Sequence, residues 1–201
     1  MNHKVHRTVP IHRGRVFSLN RENVTLPNGE TVDLDVIRHP GAAAIVPLVE
    51  GDTVLLLRQF RYAAGGDLWE IPAGTLTPGE SPLDGARREL AEETGYFACA
   101  WRILGEVVPA PGYSDERIHL FLAAGLKPSE QNLDRDEVIE VHRFPFRKTL
   151  DMVERGIIRD GKTICGLFLA RAWMERTEFG SMARKKEPRA FSSGGRCFRD
   201  R

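Results

Sequence analysis

Apolar and polar positions fall into three regimes along the chain. Residues 1 to about 40 alternate short β-like pieces with turns, in GRVFSLN and NVTLPNGETVDLDVI, and Asn28-Gly29 between two such pieces is a hairpin signal. From 41 to about 179 strands and helices alternate. AAAIVPLV and TVLLLRQF flank a second hairpin signal, Gly51-Asp52, and LWEIP is a short strand stopped by Pro72. PLDGARRELAEET is helical, with Pro82 suited to the first turn and Gly95 to the C-cap. IHLFLAAGL and VIEVHRFPF read as later strands, and RKTLDMVERG and KTICGLFLARAWMERT carry apolar residues at helical spacing. This order predicts an α/β fold, a mixed sheet with helices packed on its faces. The third regime, 180–201, is a basic tail of few aliphatic residues, expected to be disordered. The polar N-terminal piece, 1–40, is expected to cap the main domain or to reach onto a partner.

Composition narrows this picture. A chain of 201 residues, 41% hydrophobic and 28% charged, can bury one ordinary core without staples. Its net charge of +1 sets up no field that recruits nucleic acid or membrane. No apolar run approaches a membrane span, and the basic start lacks the apolar centre of a secretory signal. Cys99, Cys165 and Cys197 lie too far apart for zinc or a disulfide framework, so thiols in a reducing cytoplasm are expected. His6, His12, His39, His119 and His142 show no metal spacing either.

The chemistry concentrates in GTLTPGESPLDGARRELAEETGY, residues 74–96. With Pro82 at a helix start, Glu89 and Glu93 stand one above the other, Glu92 flanks them, and Leu83, Ala86 and Leu90 form the buried stripe. Like charges at this spacing cost a bare helix a few tenths of a kcal/mol, so three such carboxylates call for a counter-charge. Arg87 and Arg88 on a solvated face could supply it. A hard divalent cation, Mg²⁺ or Mn²⁺, fits the oxygen ligands better and could also grip phosphates. Pro72, Gly74, Pro78 and Gly79 shape a loop able to aim a carbonyl at such a cation. Glu80 lies eight residues before Arg88, a separation that permits a loop-to-helix ion pair.

These residues resemble the signature of the Nudix hydrolases, with Gly74, Glu80, Arg88, Glu89, Leu90, Glu92, Glu93 and Gly95 all matching and Tyr96 where an aliphatic residue is usual. The resemblance implies an α/β/α sandwich and cleavage of a diphosphate joining a nucleoside to another moiety. By position it makes Glu89 and Glu93 the main metal ligands. Glu92 becomes a further ligand or the holder of a metal-bound water, the Ala73 carbonyl a ligand, and Glu80 and Arg88 a structural pair. Beyond the signature, VLLLRQFRYAAGGDLWEIPAG, PAPGYSDERIHLFLA and DEVIEVHRFPF, with Pro111, are similar to the ADP-ribose pyrophosphatase branch. That implies Mg²⁺-dependent hydrolysis of ADP-ribose and related ADP-sugars to AMP and a sugar phosphate, with GDP-mannose or another nucleotide sugar as the alternative substrate. A non-catalytic ADP-ribose-sensing module is the rival from another class, and retention of every metal carboxylate argues against it.

Around the signature, alternatives stay open. Arg61 is a candidate for a substrate phosphate or sugar, or a surface salt bridge. Glu70 is a candidate nucleotide contact or a strand-end cap, and Trp69 reads as core. Tyr113 and Glu116 could face the ribose or a metal-held water. In this branch the general base comes from a late loop, here NLDRDEVIE, where Glu137 at the loop-to-strand junction is favoured and Glu140 is second. The branch also implies a homodimer that exchanges N-terminal strands, with Arg15 or Phe17 near the base.

Overall fold

The computed structural model describes residues 2–50 and 52–183, side chains of 177–183 excepted; the basic tail beyond 183 lies outside the described residues. Strands β1 (Lys4–Arg13), β2 (Ser18–Thr25) and β3 (Thr31–Arg38) form an antiparallel N-terminal sheet in that order. Asn28-Gly29 turns β2 into β3, with Gly29 at φ 90°, a conformation that glycine takes at little steric cost. β1 was not expected. All ten of its residues are exposed, and Arg7 breaks the alternation of Val5, Val9 and Ile11, so no regular apolar pattern announces a strand.

The second sheet is the body of the molecule. β10 (Ile139–Pro145), β5 (Thr53–Arg61), β4 (Ala42–Val49), β9 (Ile118–Pro128) and β8 (Tyr96–Val107) lie side by side. Short β6 (Gly66–Glu70) adds to β5, and β7 (Ala73–Thr75) adds to β4. β4 and β9 run parallel while the other pairs are antiparallel, so the sheet is mixed. Alternation along β4 divides the core. Ala43 and Ile45 face helix α1 (Pro82–Thr94) with Ala86 and Leu90, whereas Ala42, Ala44 and Val46 belong to the opposite layer with Met152 and Leu167. That layer is built by α2 (Phe146–Glu154) and α3 (Gly161–Ala183). The result is the α/β/α sandwich expected above. Strand β8 escaped the sequence reading because this edge strand is half exposed and slips register between Ile103 and Gly105. Cys165 is a free thiol, whereas Cys99 on β8 is disulfide-bonded, where thiols had been expected.

Helix α1 has conventional ends. The Ser81 hydroxyl accepts from the Asp84 N–H at 3.2 Å, Pro82 opens the first turn, and Gly95 closes the helix at φ 70°. Leu90, fully buried, contributes about 2 kcal/mol of anchoring. Its neighbours on the buried side include two carboxylates, Glu89 and Glu93, and those need explanation.

Candidate active site

An open cleft of about 1080 Å³ runs between the end of β5, the loop after β7, helix α1 and the N-terminus of α3. Glu89, Glu92 and Glu93 line it from one side. Glu93 is 2% exposed, and one of its oxygens accepts the Ala73 N–H at 2.8 Å. Burial first, and then the nearby charges of Glu89 and Glu137, push its carboxyl well above the usual range. Burial also raises Glu89, against the pull of Arg88. Two buried acids, one of them raised further by the charge of the other, are an arrangement that suits a cation.

Arg88 is the hub of the opposing charge. Its Nε and Nη2 donate to the two oxygens of Glu80 at 2.9 and 3.0 Å, and Nη2 also donates to the Thr75 carbonyl at 3.2 Å. Its Nη1 reaches Glu89 at 2.6 Å and Glu92 at 2.9 Å. The Glu80 carboxyl, gripped by that guanidinium and by the Thr77 N–H, falls to about 2. The loop before the helix is thereby tied to the helix itself. Gly74 packs so closely on Glu89 that a β-carbon there would overlap the carboxylate.

A hard divalent cation fits this donor set, because Glu89 and Glu93 are buried oxygen donors whose charged forms burial disfavours. Among the described residues, no three His, Cys, Asp or Glu side chains are already gathered into a cation cage. Glu89 and Glu92 instead turn to Arg88.

The far wall of the cleft is cationic. Arg61 and Lys162 both line it, and both hold Glu70, itself 2% exposed. Arg61 donates to the two Glu70 oxygens at 3.0 and 2.7 Å, and the Lys162 ammonium donates to Glu70 at 2.7 Å and Asp160 at 3.1 Å. Burial alone would raise Glu70, but the two cations hold it below the usual range. Asp160 caps α3 by accepting the Thr163 N–H at 3.0 Å. Glu70 does not line the cleft; it positions two groups that do. Lys162, Asp160 and Gln59 were not singled out from the sequence. Lys162 and Glu70 lie 92 residues apart, beyond any local spacing rule.

The other sequence candidates divide. Ala73, Gly74, Glu116 and Glu137 line the cleft, and so does Arg15. Glu116 stands 3.8 Å from the His39 Nδ1. Glu137 is held in its loop by the Asp134 N–H at 2.9 Å. Glu140 points away, 62% exposed, with His142 at 3.1 Å and Arg58 at 3.8 Å. Tyr113 is an exposed side chain whose carbonyl accepts the Ile37 N–H at 2.7 Å, fastening the N-terminal sheet to the body. Trp69 packs edge-on against His142 and Phe144, with ring centroids 5.0 and 5.2 Å away.

A buried carboxylate pair on a capped helix, behind a glycine loop locked by Glu80 and Arg88 and facing a cationic wall, defines a hydrolase of phosphate anhydrides. The chain belongs to the Nudix family, as residues 38–165 match the NUDIX domain. Members of that family generally use divalent metal ions. The chain is 38% identical over 155 residues to the ADP-ribose pyrophosphatase of Bacillus subtilis (strain 168), covering 76% of this chain and 84% of that one. It is 37% identical over 163 residues to the methanol dehydrogenase activator of Bacillus methanolicus, covering 80% and 88%. A crystal structure of an ADP compounds hydrolase superposes with a TM-score of 0.76 at 24% identity, over 88% of this chain and 96% of that one, a likeness of fold.

Proposed function

We propose that this protein hydrolyses the diphosphate bond of ADP-ribose and related ADP-sugars, giving AMP and a sugar phosphate. The observation that carries the reading is the buried Glu89–Glu93 pair sharing one cleft with Arg61 and Lys162. Similarity to an ADP-ribose pyrophosphatase over most of both chains supports the choice of substrate.

Glu89, Glu92, Glu93 and the Ala73 carbonyl would hold the divalent cation, with Mg²⁺ preferred and Mn²⁺ as substitute. Bound there, it neutralises diphosphate charge and makes water a better nucleophile at neutral pH. The chain's own groups do the rest. Arg61 and Lys162 orient the diphosphate from the opposite wall, and Glu70 fixes both cations in place. Glu137, whose charge already bears on Glu89 and Glu93, takes the proton from the attacking water. The water oxygen bonds to phosphorus, the bridging P–O bond breaks, and the leaving phosphate departs with the electron pair.

The reading includes a two-fold homodimer. Val5, Val9 and Ile11 on β1 are all 40% exposed or more, as are Val16 and Phe17 just after it and Leu34 on β3. A second copy of this sheet is the occupant that suits such a surface, and it would bring Arg15 and Phe17 near a shared base pocket. Among the described residues no helix is long and apolar enough to cross a membrane.

Purified protein given ADP-ribose and Mg²⁺ should release AMP. No AMP at high enzyme concentration, with GDP-mannose cleaved instead, would replace the substrate in this reading.

A further inference from the structure

Gln59 lies on β5 between Ile139 of β10 and Leu68 of β6, and it is 4% exposed. It shares a strand face with Arg61, two residues on, and both belong to the wall of the cleft. Among the described residues its side-chain Oε1 is fully shielded and accepts no hydrogen bond. A buried acceptor left alone is costly, and native proteins keep one mainly where function uses it.

The chemistry of the cleft narrows what can satisfy that oxygen. Diphosphate oxygens are themselves acceptors and cannot. A hydroxyl or a water can. The lining is also split by chemistry. Val107, Ile118 and Ala42 stand in register across β8, β9 and β4, and with Val16 and Pro40 they give one side an apolar surface suited to a flat base. Gln59, Arg61, Asp160 and Lys162 bring mostly polar groups to the lining; they suit a polyol that carries a phosphate.

We propose that Gln59 is a specificity residue whose side-chain carbonyl accepts a hydroxyl hydrogen from the sugar on the far side of the diphosphate, the half released as a sugar phosphate. The inference rests on the diphosphatase reading above and deepens it. It assigns sugar recognition to β5 and separates that task from the acid helix, where the bond is cut.

The test compares two substrates that share one diphosphate. ADP-ribose carries the sugar hydroxyls; an n-propyl ester of ADP carries none. Gln59→Met keeps the length of the side chain and deletes the acceptor. It should lower kcat/KM for ADP-ribose about tenfold and leave the propyl ester within about twofold. Gln59→Glu keeps an acceptor at the same length. It should preserve the wild-type ratio of the two substrates even where its charge slows both, so the proposal stays testable if the Met variant fails to fold. Equal loss on both substrates in Gln59→Met would place Gln59 on the water or the cation and overturn the proposal. No loss on ADP-ribose, or a collapsed ratio in Gln59→Glu, would overturn it too. If the wild-type protein cleaves neither compound, the diphosphatase reading fails and this inference falls with it.

Discussion

A β-carbon placed on Gly74 would overlap Oε1 of Glu89 and its carboxyl carbon. Glycine is required here by the closeness of the helix carboxylate, without any demand from backbone angle. Gly74→Ala must therefore push Glu89 aside. The expected result is a folded protein whose affinity for Mg²⁺ falls about tenfold or more, read by calorimetry or by the metal dependence of turnover. Wild-type metal affinity in that variant would remove Glu89 from the proposed ligands.

Two glutamates give the metal-free protein opposite responses to pH. Glu80 has its folded pKa lowered from 4.5 to about 2. Its stabilising ion pair is fully present above pH 4.5 and is lost as pH falls towards 2. Glu93 has its folded pKa raised well above 4.5 by burial. Its contribution is fully present below 4.5 and is lost as pH rises through the raised value. The melting temperature of metal-free protein should thus fall at both ends of the pH scale. Glu80→Gln should flatten the acid limb and cost about 1–3 kcal/mol at neutral pH. Glu93→Gln should flatten the alkaline limb and raise the metal-free melting temperature at pH 8. The same Glu93→Gln variant should lose turnover by about a hundredfold or more. A metal-free Glu93→Gln protein less stable than wild type at pH 8 would contradict the origin assigned to this shift.

Glu137 and Glu140 sit three residues apart and in different surroundings. Glu137 lines the cleft and raises the pKa of both Glu89 and Glu93, whereas Glu140 faces out towards His142 and Arg58. Glu137→Gln should lower kcat by about 10²-fold or more with KM little changed, and Glu140→Gln should stay near wild type. The reverse order of effects would move the base to Glu140.

Much of this molecule was legible where physics is local. Helix α1, its caps and the stacking of Glu89 on Glu93 follow from spacing alone, and the separation of Glu80 from Arg88 was short enough to suggest their contact. Strands β4, β5 and β9 carried short apolar runs, Ala42–Val46, Val54–Leu57 and Leu120–Ala123, because both their faces are buried there. What stayed hidden had either no pattern or too long a reach. β1 is exposed throughout and its few apolar residues, Val5, Val9 and Ile11, are interrupted by Arg7, so its strand character depends on pairing with β2 and leaves only a faint mark in its own residues. Glu70 and Lys162 meet only because β6 and α3 are brought together by the sheet. Gln59 shows the limit most plainly, since an amide in a strand looks ordinary until its burial is known.

Arg88 has one last implication. It joins Glu80, Glu89 and Glu92 through a single guanidinium, so the acidic helix carries a tethered counter-ion of its own. A divalent cation entering at Glu89 and Glu92 would have to compete with that guanidinium. Such competition would leave the ion loosely held by the protein. Occupancy of the site would then follow the free metal around it and rise further when a diphosphate brings oxygens of its own.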